Sequence, residues 1–67
     1  MNVTKEAVNK AGGAIAVARA FDINRIAVYR WTYKNQVPAE RVLKLSEMSG
    51  VPAHVLRPDV FGQQKTR

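Results

Sequence analysis

Arg25, Ile26, Tyr29 and Arg30 stand at positions i, i+1, i+4 and i+5 of a stretch, Arg25 to Tyr33, whose pattern predicts a helix. That spacing turns two guanidinium groups, a phenol and a branched aliphatic side chain toward one direction. A guanidinium donates in a pair to guanine O6 and N7, an aliphatic group meets a thymine methyl, and a phenol reaches a base edge or a phosphate. This is chemistry of reading a DNA major groove rather than of breaking bonds. The same residues allow another arrangement, in which Ile26, Tyr29 and Tyr33 make a second core contact and the arginines lay their stems along it with their heads in water. The opposite stripe, Asn24, Ala27, Val28 and Trp31, reads as a core face, which assigns Trp31 to packing rather than to stacking on bases.

Composition agrees with binding and excludes much else. The chain has 67 residues, eleven Lys and Arg against five Asp and Glu, and a net charge of +6, a balance that favours polyanionic partners or simply a solubilising surface. With no Cys and the single His54, neither a thiolate nor a histidine metal site is available, so no metal and no cofactor is expected. Glu40, Glu47 and Asp59 show no pairing that suggests acid–base catalysis, and the protein is expected not to be an enzyme. The longest apolar run, Ala14 to Ala18, falls far short of a membrane span, and no secretion signal opens the chain. A cytoplasmic location is the expectation.

Helix signals dominate the elements that must position these residues. Thr4 is the expected N-cap of a first helix reaching about Ala11, with Val3 and Val8 as a staple pair and Gly12-Gly13 ending it. A second, mostly buried helix runs from about Ala14 to Phe21. Asn24 caps a third, to about Tyr33, followed by the polar loop Lys34-Asn35-Gln36. Pro38 sits in the first turn of a fourth helix, which reaches about Met48 and stops at Gly50. Pro52 opens a short turn to Leu56, and Pro58 excludes a long continuation. The expected fold is therefore all-α, a compact domain of four to five helices over residues 1–61, with a frayed tail at 62–67.

The segment from Ala18 through Ile23, Ala27, Val28 and Trp31 resembles the helix-turn-helix of the Cro and YdaS-like phage and prophage regulators. The likeness continues through Val37-Pro38-Ala39-Glu40-Arg41, Gly50-Val51-Pro52 and Leu56-Arg57-Pro58-Asp59-Val60-Phe61. It implies a lambda-repressor-like domain with the third helix in the major groove of an operator. Two positions depart from the pattern. Asp22 stands where Gly is common in the turn, and Gly13-Ala14 replace the Gln or Thr that often clamps a phosphate.

The reading assigns base contacts to Arg25, Ile26, Tyr29 and Arg30. Backbone contacts fall to Gly13, Ala14, Arg19, Asn24, Tyr33, Lys34, Asn35 and Gln36, with Asn24 also the helix cap. One recognition helix covers few base pairs, so a homodimer or higher even-numbered assembly on a palindromic operator is expected, paired through Leu43, Val55, Val60 and Phe61. Each of these four would otherwise close the monomer core. Three functions fit: a Cro-type repressor, a toxin–antitoxin component that autoregulates through the same fold and has a further protein partner, and a non-specific basic architectural or membrane-surface protein.

Overall fold

A computed structural model describes residues 2–61; the tail expected at 62–67 lies outside the described residues. They form α1 (Val3–Lys10), α2 (Ala14–Phe21), α3 (Arg25–Lys34), α4 (Ala39–Ser49), α5 (Ala53–Leu56) and α6 (Pro58–Phe61), with no strand among them. The all-α expectation is met, with one helix more than foreseen. Pro58 does not merely stop the chain. Its fixed φ suits the first turn of a helix, so it starts α6.

Three helices end in left-handed turns that close two hydrogen bonds each. At the end of α1, Gly13 N–H reaches Val8 O (2.8 Å) and Gly12 N–H reaches Asn9 O (3.1 Å). Ile23 and Asp22 repeat this on Ala18 and Arg19 after α2, as do Gln36 and Asn35 on Trp31 and Thr32 after α3. The left-handed residues are Gly12 (φ 112°), Asp22 (φ 57°) and Asn35 (φ 54°). Asp and Asn are among the few side chains that tolerate this region. The turn between α2 and α3 thus keeps its left-handed geometry without Gly.

The start of α1 differs from the sequence expectation. Asn2, not Thr4, is the N-cap, its Oδ1 accepting from Lys5 N–H at 2.9 Å. Val3 is then the first helical residue, so the Val3–Val8 staple does not apply. Thr4 is fully buried, and its hydroxyl has no hydrogen-bond partner among the described residues. Asn2 won because its side chain serves two helices. Its Nδ2 also donates to Thr32 O near the end of α3 (2.6 Å), while Asn35, the left-handed cap of α3, accepts Thr4 N–H on its Oδ1 (3.1 Å). Each helix end caps the other across a separation of about thirty residues.

The core gathers Ala7 and Val8 from α1, Val17, Ala18 and Phe21 from α2, Val28 and Trp31 from α3, and Val42 and Leu45 from α4, closed by Val37, Val51 and Leu56. Trp31 is 7% exposed and meets Phe21 edge-on, with ring centroids 5.6 Å apart. The other apolar flank of Phe21 carries charge: Lys44 Nζ lies 5.0 Å and the Arg41 guanidinium 5.5 Å from its centroid. Lys44 Nζ also donates to Ala20 O at 2.6 Å, fastening α4 to the end of α2. Helix α2 is less buried than its apolar sequence suggested, since Ile15 is half-exposed. On α4, Val42 and Leu45 face inward while Leu43 points out among Glu40, Lys44 and Glu47.

Trp31→Ala is expected to abolish the cooperative thermal transition, because truncating a buried aromatic costs about 3–5 kcal/mol, comparable to the whole stability of a domain this small. A folded, melting Trp31→Ala protein would place this residue outside the core.

The two left-handed polar residues should respond oppositely to glycine. Asp22 makes no side-chain hydrogen bond among the described residues, so Asp22→Gly should raise stability by about 0.5–1 kcal/mol through relief of the backbone. Asn35→Gly relieves the same strain but loses the bond to Thr4 N–H, worth about 1 kcal/mol, and should not stabilise. Denaturant titration of both variants checks the pair; equal gains would mean that the Asn35 bond contributes nothing.

Candidate nucleic-acid interface

Helix α3 turns Val28 and Trp31 into the core and half-buries Ala27, which leaves its outer side to the residues singled out by spacing. Ile26 is 55%, Tyr29 50% and Tyr33 91% exposed, and Arg25 and Arg30 are exposed beside them. No second core contact forms: of the two arrangements the sequence allowed, the outward-facing one is found. Asn24 caps α3 through its Oδ1, which accepts Ile26 N–H at 2.8 Å, so that oxygen is committed within the fold.

Lys34 and Arg19 suit the last turns of α3 and α2, but Arg25 does not suit its place. The first turn of α3 contains no acid and begins with Arg25, at the end where the helix dipole disfavours a cation. Among the described residues, Arg19, Arg25, Arg30 and Lys34 take part in no ion pair. Arg25 thus breaks a local rule with no ion-pair compensation among the described residues.

Helix α2 adds its N-terminus. Gly13, at φ 100° and ψ 169°, is its N-cap and supplies no side chain to bond the first-turn N–H groups, which therefore remain donors. This suits an anion near Gly13 and Ala14. Arg19 lies on an exposed side of the same helix, near the turn. After α3, Lys34 and Gln36 are exposed, whereas Asn35 Oδ1 is occupied by Thr4 N–H, so a phosphate would have to meet its amide nitrogen.

Two concave regions flank α3. The larger, about 610 Å³, lies between its outer side and the start of α1 and is lined by Asn2, Lys5, Ile26, Tyr29, Arg30, Thr32 and Tyr33. The smaller, about 310 Å³, collects Arg30, Lys34, Gln36 and Arg57 beside Trp31. Neither Lys5 nor Arg57 was singled out from sequence as a site residue, because both are distant from α3 along the chain and only packing brings them near. Arg57 is fixed there by donating to Val37 O (2.6 Å) and by a two-pronged pair with Asp59 (2.6 and 2.8 Å). Those hydrogen bonds hold the Asp59 carboxyl below the usual carboxylate range and keep Arg57 more firmly protonated than usual.

The residues assigned to pairing lie elsewhere. Leu43, Val55 and Val60 are 61%, 40% and 48% exposed, and Phe61 is partly buried against the monomer core.

The described residues contain no cluster of His, Cys, Asp and Glu that could hold a metal, and no helix long and apolar enough to cross a membrane. Comparison with known proteins yields one family: the profile described as bacterial toxin YdaS matches residues 4–65. No curated protein and no solved structure matches the chain. The match spans every described helix but the first residue of α1, including the turn at Asp22 and the Leu56-Arg57-Pro58-Asp59 ending. The chain belongs to the bacterial toxin YdaS family.

Proposed function

We propose that the protein is a sequence-specific DNA-binding transcriptional regulator, a Cro-type repressor of phage or prophage origin that occupies a palindromic operator and so excludes polymerase or a competing regulator. The observation that carries this reading is the exposed outer side of α3, where Arg25, Ile26, Tyr29 and Arg30 stand together with no ion-pair partner for either guanidinium among the described residues. Helix α3 enters the major groove and α2 lies across the backbone, presenting the N–H groups after Gly13 to a phosphate. Arg25 is the first choice for guanine, Arg30 the second. Arg19, Tyr33, Lys34, Asn35 and Gln36 fix the register on the backbone. Two copies meeting through Leu43, Val55, Val60 and Phe61 place two α3 helices in half-sites about 34–36 Å apart.

The family's description favours a second reading, a toxin–antitoxin component that uses the same fold to control its own transcription and also engages another protein. The two separate on growth. A toxin arrests cells whose genome lacks the operator, whereas a repressor does not.

Selection from a random duplex pool is expected to return a consensus with dyad symmetry. On that site Arg25→Ala should cost about 1–3 kcal/mol and relax preference at one base pair per half-site. Lys34→Ala should weaken all sequences about equally and lower the salt slope by about one, since a phosphate contact releases counterions without reading bases. An Arg25→Ala protein with unchanged affinity and consensus would remove α3 from the groove.

Sedimentation of the protein with its selected duplex is expected to give two or four chains per operator. One chain per operator, from a protein monomeric at tens of micromolar, would overturn the paired arrangement.

A further inference from the structure

We propose that the groove between the start of α1 and the outer side of α3 receives the 5-methyl edge of thymine, so that the selected half-site carries thymine next to the base read by Arg25 or Arg30. This rests on the DNA-binding reading and specifies what that surface selects. Ile26, Tyr29 and Tyr33 line this groove and are exposed among the described residues, with Asn2 and Thr32 beside them. Lys5 and Arg30 also line it, and no carboxylate does among the described residues. The ligand that complements such a surface offers apolar and anionic groups close together.

Duplex DNA has that profile where thymine occurs. The only apolar group that base pairs present in the major groove is the thymine methyl, and phosphates run along both sides of it. A lipid surface is also apolar and anionic, but a helix lying on one separates its apolar face from its charged face. Here the two kinds of side chain interleave: Ile26 follows Arg25 directly, and Tyr29 precedes Arg30. Interleaving suits a partner whose polar and methyl edges alternate from base to base. Lys5 brings α1 into the interface as a phosphate contact.

The test replaces each thymine of the selected operator by deoxyuridine, which removes only the methyl, and measures binding of the full chain and two variants. Ile26 and Lys5 are exposed, so Ile26→Ala and Lys5→Ala should fold as the parent does, and a thermal melt verifies this. The parent should lose about fourfold in affinity at one uracil position per half-site, the equivalent of one buried methyl. Ile26→Ala should bind the thymine and uracil versions of that position equally. Lys5→Ala should keep the thymine preference and lower the salt slope by about one.

A selected operator on which uracil has no effect at any position, or an Ile26→Ala protein that still prefers thymine there, overturns the groove assignment while leaving the DNA-binding reading in place. A pool that yields no consensus overturns both. Binding to anionic vesicles or to an acidic amphipathic peptide in place of duplex does the same, and would identify the groove's occupant instead.

Discussion

The angle between α2 and α3 depends on one aromatic contact. Phe21 is the last residue of α2 and Trp31 lies two turns into α3, so their edge-on meeting fixes where the second helix points once the turn has released it. Three intervening residues could support many angles. Bulk on both sides selects one, because Phe21 is held from behind by Arg41 and Lys44 of α4, with Lys44 also bonded to the last turn of α2. A ring packed between an indole and two cations cannot shift without giving up contacts on both flanks. The outer side of α3 inherits its orientation from this contact.

Stability and the proposed DNA contact use different sides of the same ten residues. Val28 and Trp31 obey the ordinary rules of a core helix, while Arg25 opposes the helix dipole and Ile26 and Tyr33 leave apolar area in water. The cations are likewise divided. Arg41, Lys44 and Arg57 hold the fold through ring faces, carbonyls and Asp59. Arg19, Arg25, Arg30 and Lys34 have no ion-pair partner among the described residues, so the overall positive charge is not spread evenly in its roles.

Much of this was legible in the chain because the signals are local. Gly12, Pro38 and Gly50 punctuate helices by backbone conformation, Asn24 by a side-chain cap two residues from its partner, and the Val28–Trp31 stripe is a short-range period. The same period grouped Arg25, Ile26, Tyr29 and Arg30 on one side but left open whether that side packs, which the exposures decide. Less legible were features decided by partners far along the chain. Asn2 displaced Thr4 as a cap because Thr32, thirty residues on, offers it a second bond, and no sequence window contains both. Lys5 and Arg57 approach α3 only through packing. Pro58 was read for what it forbids, a preceding helix continuing, when its fixed φ equally favours a new start.

The reciprocal capping of α1 and α3 has a bearing on how damage spreads. Helices of eight to ten residues have no independent existence in water, and these two also depend on each other for their end groups. The outer side of α3 is consequently not a module that survives partial unfolding; it exists only while the whole domain does. Genetics of such a protein would blur the usual division between surface and interior, with loss-of-function alleles arising on the buried sides of α1 or α4 as readily as at Arg25. Dosage and temperature sensitivity, rather than position on a map, would then tell a lost contact from a lost fold.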